Sequence, residues 1–271
     1  MRSIAILNQK GGSGKTTTAV NLAAALGEIG KRVLLVDMDP QATATDWLGI
    51  SNPGRGGVTD IFIHQRPLLE LVQATEVRGV ALVPASPRLV GAEKALAWEL
   101  DTVQIFRRSV DALPPDQWDY LIVDCPPAWG LITANTLVGV KEVLIPVEAH
   151  YLSLASVERV LAATETLRRH LNPELRILGI VACRVDLRTR HAKAVVKELR
   201  SRFGQLVFKE EVRENIRLAE APASRLPITV YDPQSRGAKD YRRLAAAMIE
   251  RGAAGHPSSV VMPAPTVSTP P

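Results

Sequence analysis

Lys10 and Lys15 flank Gly11-Gly12-Ser13-Gly14, and Thr16 and Thr17 follow at once. Two cations, two hydroxyls and a glycine-rich turn so close together suit a highly charged anion. The glycines let consecutive backbone N–H groups turn inward on phosphate oxygens. Lys15 can then reach the terminal phosphates, and the Thr16 hydroxyl can ligate Mg²⁺. Three carboxylates stand at matching places. Asp124 closes the apolar run Tyr120-Leu121-Ile122-Val123, the position of a metal-holding carboxylate in phosphoryl-transfer proteins. Asp37 and Asp39, two residues apart, would point to one side of an extended chain, which suits Mg²⁺ or water positioning. Each feature alone has a plainer reading: a glycine-rich turn, a capping Asp before Pro40, a strand that happens to end in Asp.

The elements that must position these groups alternate in type. Ile4-Ala5-Ile6-Leu7 reads as a buried strand, and Ala19, Leu22, Ala23 and Leu26 trace one face of a helix behind the glycine loop. That helix points its N-terminus at the loop and adds partial positive charge there. Further strands are expected at 33–37, 80–84, 120–124, 143–147 and 177–182. Helices are expected at 91–113, with Leu96, Leu100, Val103 and Phe106 or Val110 inward and Pro114-Pro115 ending it, and at 153–170. The pattern predicts an α/β fold, a mostly parallel twisted sheet with helices on both faces, and chemistry at the carboxyl ends of the strands. One domain over residues 1–251 is expected. Residues 252–271 are dominated by Pro, Ser, Ala, Val and Thr with no Asp, Glu, Lys or Arg, and read as a disordered tail.

With 46% hydrophobic but only 4% aromatic residues, the core must be aliphatic. Cys125 and Cys183 sit in apolar runs and read as small buried side chains in a reducing compartment. No metal-binding cysteine spacing, export signal or apolar run near the roughly 20 residues of a membrane span is present, which points to the cytoplasm. A formal charge of +5 fits an acidic partner only if the cations cluster. They are dense from Arg184 to Arg243, with acidic residues among them. Such a stretch reads either as a salt-bridged surface or as a patch that neutralises phosphates without reading bases.

Taken together, Asn8 to Thr17, Leu35 to Gln41, Asp119 to Pro127, Arg217 to Pro222 and Tyr231 to Ala238 closely resemble the partitioning ATPases of the ParA/Soj family, within the ParA/MinD superfamily. Gln9 replaces the first glycine of the common phosphate loop, and Lys10 matches the extra lysine of that superfamily's deviant Walker loop. The resemblance implies ATP and Mg²⁺ as cofactors and Lys10, Lys15 and Asp39 as catalytic residues. Nucleotide contacts would come from Lys10, Gly11, Gly12, Ser13, Gly14, Lys15, Thr16 and Thr17, with Thr17 on the α-phosphate side. Pro222 would stand near the adenine. Thr16 and Asp124 would hold the metal and Asp37 would support it. Arg188 and Arg217 match DNA-contacting arginines. It also implies an ATP-dependent homodimer with each Lys10 crossing to the facing subunit, non-specific double-stranded DNA, a ParB-like partner with a basic N-terminal segment, and a place on the nucleoid. Ser13 and Trp47 look closer to plasmid and cargo-positioning relatives. The first strand opens the chain, so no operator-reading extension is expected. Competing expectations are an ATPase that positions a protein cargo, a MinD-like membrane-surface switch, for which a C-terminal amphipathic helix is lacking, and a P-loop biosynthetic enzyme.

Overall fold

A computed structural model describes residues 1–50, 56–96, 101–150 and 153–253. The expected tail at 252–271 lies outside them from residue 254 onward. Eight strands form one sheet: β1 (Arg2–Ile6), β2 (Val33–Asp37), β3 (Gln73–Ala74), β4 (Val80–Val83), β5 (Tyr120–Asp124), β6 (Glu142–Glu148), β7 (Arg176–Val185) and β8 (Val207–Arg213). Their order is β3-β4-β2-β5-β1-β6-β7-β8, and every pairing is parallel except that of β3 with β4. The central strands are buried on both faces, so they are continuous apolar runs rather than alternating ones. β1 crosses to β5 and β6, so the first loop opens at the middle of the sheet's carboxyl edge.

One face carries α1 (Lys15–Glu28), α2 (Thr43–Trp47), α10 (Ile228–Tyr231) and α11 (Arg236–Ala253). The other carries α3 (Val58–His64), α4 (Leu89–Leu96), α5 (Ile105–Asp111), α6 (Leu131–Gly139), α7 (Leu154–His170) and α8 (Arg190–Phe203). A short α9 (Ile216–Glu220) follows β8 and has no buried residue. α1 departs from a simple amphipathic helix. Beyond Ala19, Leu22, Ala23 and Leu26 it also buries Val20, Ala24 and Ala25, because α11, α2 and α10 cover the side away from the sheet. Its alanines allow that close approach on every face.

The single helix expected over 91–113 is broken. α4 and α5 are separate, Asp101 takes a left-handed conformation with φ 60°, and a 3₁₀ turn spans Thr102–Gln104. Asn135 of α6 stabilises the junction, donating to Thr102 O and accepting from Phe106 N–H. Leu96, Phe106 and Val110 are buried as expected, Val103 is half-buried, and Leu100 lies outside the described residues. β3 and β8 were not anticipated. β3 has two residues, and β8 carries Lys209-Glu210-Glu211, which interrupts any apolar run because it is an edge strand.

Candidate nucleotide site

The loop after β1 is anchored before it turns. Asn8 is fully buried, donates to Pro146 O on β6 and accepts from Lys10 N–H, which sets the height of the loop above the sheet. Asn8 is a positioning residue for which sequence reasoning assigned no role. Its signal was a polar residue at the end of an apolar strand. Gly12 and Gly14 adopt φ 73° and 89°, a region that side chains with a Cβ rarely enter. Gly14 is the N-cap of α1, and its carbonyl accepts from Thr18 N–H, so the loop passes straight into the helix. Gly11 and Gly12 are exposed, with open space where a Cβ would stand.

Lys15 is buried, and its ammonium reaches the Lys10 carbonyl at 3.4 Å. Burial pulls its pKa down, opposed by the nearby Asp124, Cys125 and Asp39 charges. Asn21, one turn behind Thr17, donates to Thr17 O and accepts from Ile228 N–H, tying α1 to α10. Thr18 meets the buried Tyr241 hydroxyl of α11 at 3.3 Å.

Asp37 and Asp124 are paired positions on neighbouring parallel strands, both fully buried. Asp37 is well satisfied. Its Oδ2 accepts from Thr45 N–H and Oγ1–H, and its Oδ1 accepts from Asp39 N–H. Burial still raises its pKa to about 6. Neither Asp124 oxygen accepts a hydrogen bond of normal geometry. Burial and the Asp37 charge push its pKa up, and the nearby Thr16 hydroxyl and Lys15 ammonium oppose that without cancelling it. A buried carboxylate with both oxygens orphaned, beside a hydroxyl, fits a hard divalent cation such as Mg²⁺. β2 ends at Asp37, so strand alternation does not place Asp39. A turn does: Asp39 Oδ1 accepts from Gln41 N–H, and Ala42 follows with φ 53°.

A cleft of about 1020 Å³ runs from Gly11, Lys15, Asp39 and Pro127 at one end to the segments 184–188 and 212–219 at the other. Pro222, expected near the base, does not line it. Pro222 sits in a 3₁₀ turn, Ala221–Ser224, whose Ala221 is packed into the core. The far wall instead follows β7 and β8; the carboxyl end of β7 falls under the same strand-end rule that located Asp124, whereas β8 offers no apolar run to which that rule applies. Arg213 on that wall is held by Asp240 of α11, which accepts from its backbone N–H and its guanidinium. Cys183 also lines the cleft, and burial pushes its thiol up to about 12. Cys125 is fully buried and its thiol is pushed up likewise.

Arg188 lies at the mouth of the cleft, and Arg217 is flanked by the lining residues Ile216 and Leu218. Each has a local carboxylate. Arg188 forks onto Asp186, at 2.9 and 3.0 Å, and Arg217 binds Glu220 at 2.9 Å. Many other cations of the basic stretch are paired too: Arg184 with Glu148, Arg200 with Glu211, Arg202 with Glu158 and Glu198, and Arg242 with Glu28. The salt-bridged surface is therefore real for part of the stretch. Among the described residues, some of the exposed cations without an ion pair fall at helical spacing on two elements. They are Arg190, Lys193 and Lys197 on α8, and Arg236, Lys239 and Arg243 on α11. The two helices pack on opposite faces of the sheet beside its β8 edge. No helix among the described residues is long and apolar enough to cross a membrane.

The AAA domain family matches residues 1–177. The chain is 41% identical over 250 residues to the sporulation initiation inhibitor protein Soj of Bacillus subtilis, covering 92% of this chain and 98% of that one. It is 43% identical over 251 residues to the chromosome-partitioning ATPase Soj of Thermus thermophilus, covering 93% and 96%. Among solved structures it resembles cobyrinic acid a,c-diamide synthase from Mycobacterium smegmatis with bound ATP analogue and magnesium. There the TM-score is 0.82 at 30% identity, with 94% of this chain and 97% of that chain covered.

Proposed function

The chain belongs to the ParA/Soj family of chromosome-partitioning ATPases, and from that premise we propose that it is a nucleotide-timed dimer that binds DNA without sequence preference. It is an ATPase that uses ATP and Mg²⁺. The observation that carries the proposal is Lys10, a second lysine on the phosphate loop beside a cleft that already has Lys15. One lysine suffices for the subunit's own nucleotide. The second serves a nucleotide held by a facing copy.

In this reading the N–H groups of residues 11–17 cradle the phosphates, including that of Ser13, and Lys15 bears on the terminal ones. Thr17 faces the α-phosphate side. Thr16 and Asp124 hold Mg²⁺, and Asp37 supports them indirectly by fixing the backbone at Asp39 and Thr45. Bound Mg²⁺ supplies charge neutralisation on the phosphates. Asp39 orients the attacking water. One of its oxygens is engaged by Gln41 N–H and the other remains for that water. Catalysis by charge and positioning alone predicts slow intrinsic hydrolysis. A ParB-like partner with a basic N-terminal segment accelerates it, and hydrolysis opens the dimer.

Closure of two subunits sets their basic surfaces side by side on the nucleoid. Support comes from the unpaired stripes on α8 and α11, next to Arg188 and Arg217. Replacing Lys10 with Ala tests the switch. Light scattering with Mg·ATP should then show a monomer, and a dimer with parental hydrolysis would overturn the proposal.

A further inference from the structure

Lys10 does not extend away from its own chain. Its ammonium donates to Glu148 Oε2 at 2.8 Å and to Ser153 Oγ at 3.1 Å. Glu148 ends β6, and Ser153 immediately precedes α7. With Lys15 resting on the Lys10 carbonyl, both loop lysines occupy acceptors of their own subunit. Glu148 has a second cation at hand: Arg184 approaches its other oxygen at 3.3 Å. Arg184 holds φ 53°, an uncommon conformation for a non-glycine residue, at the end of β7. Lys10 is the largest influence holding the Glu148 carboxyl below its usual range, with Arg184 and His150 adding to it.

We infer that Glu148 is a positioning residue that parks Lys10 on its own subunit, so that self-association has to break the Lys10–Glu148 pair. The inference rests on the reading of Lys10 above and names the group that competes with the facing nucleotide. A polyphosphate carries more charge than one carboxylate, so it wins the lysine once two copies meet. Glu148 then keeps Arg184, which limits the cost of the exchange. The paired side chains are 31% and 25% exposed, so the contact is worth only about what a surface pair is worth. Parking of that strength sets a threshold for association and does not block it.

Two measurements on the full chain test this with Glu148→Gln, which keeps the shape and removes the charge. The first is acylation of Lys10 by an amine-reactive ester in nucleotide-free protein, followed by mass spectrometry. The second is the protein concentration at half-association with Mg·ATP, by light scattering. Lys10 should acylate roughly two- to fivefold faster, and half-association should fall by a similar factor, as loss of such a pair implies. A merely structural Glu148 predicts the opposite sign, with weakened association and a lowered Tm. Unchanged acylation, or association unmoved or weakened, overturns the inference. Parental association in Lys10→Ala overturns the role of Lys10 across the interface, and this inference with it. The acylation rates would still report whether the contact exists.

Discussion

Asp37 and Asp124 sit side by side in register at the carboxyl ends of β2 and β5, equally buried, yet only Asp37 accepts hydrogen bonds of normal geometry. The asymmetry supports the proposed division of labour between them. Asp37 holds the chain that carries Asp39, while Asp124 keeps both oxygens available for a cation at an energetic cost to the metal-free protein.

That cost has a sign that can be checked. Burial raises both pKa values, so the folded metal-free protein holds protons that the unfolded chain has released. Stability should therefore fall as pH rises from about 4, the unfolded carboxyl value, through the Asp37 value of about 6. Asp124→Asn should flatten that fall and raise the metal-free Tm at pH 8 by about 2–6 °C, for ~1–2 kcal/mol. It should also remove the extra stabilisation that Mg²⁺ adds to bound ATP. Melting curves with and without Mg²⁺ measure both, and an unchanged Mg²⁺ response would reassign the metal.

Asp39→Ala separates chemistry from binding. Steady-state hydrolysis should drop by about 10²-fold or more, the usual effect of losing a positioned base or water-orienting group. ATP-dependent DNA retention should persist, because no cradle residue is altered. Parallel loss of both would place Asp39 in nucleotide binding instead.

The far wall of the cleft depends on Asp240. It is almost fully buried, and Asp240→Ala would leave the half-buried Arg213 guanidinium without its carboxylate. A destabilisation of about 1–3 kcal/mol in urea is expected, because the partly exposed guanidinium regains water once its carboxylate is lost. The milder Asp240→Asn should raise KM for ATP more than it lowers kcat. Pro222→Ala should leave KM unchanged, since Pro222 stands off the cleft.

Charge reversal can map the DNA surface. Lys193→Glu with Lys197→Glu, and Lys239→Glu with Arg243→Glu, should each weaken ATP-dependent retention and flatten its dependence on log salt by about one per lost phosphate contact. Arg188→Glu and Arg217→Glu should do the same if those arginines exchange Asp186 and Glu220 for phosphate. Retention indifferent to all of them would return the basic stretch to a salt-bridged surface.

Much of the fold was legible because central parallel strands are buried on both faces and must be uninterrupted apolar runs. β2 and β5 match their expected spans residue for residue. The edges were illegible for the converse reason: β8 is half-solvated, and its Lys209-Glu210-Glu211 is allowed only there. The break between α4 and α5 left no local mark, because the residue stabilising it, Asn135, comes from another helix.

Among the candidate site residues, sequence alone singled out the loop from Lys10 to Thr17 and the strand-ending Asp124, since cradling a phosphate would demand backbone freedom and a cation within a few adjacent residues. Tertiary structure decided what depends on distant segments meeting. Asp37 is satisfied by Thr45 while Asp124 is not, Arg213 and not Pro222 borders the cleft, and Lys10 lies against Glu148. Periodicity records which side of an element is buried. It carries no information about which charge stands opposite, because that partner is chosen by the folding of the whole sheet.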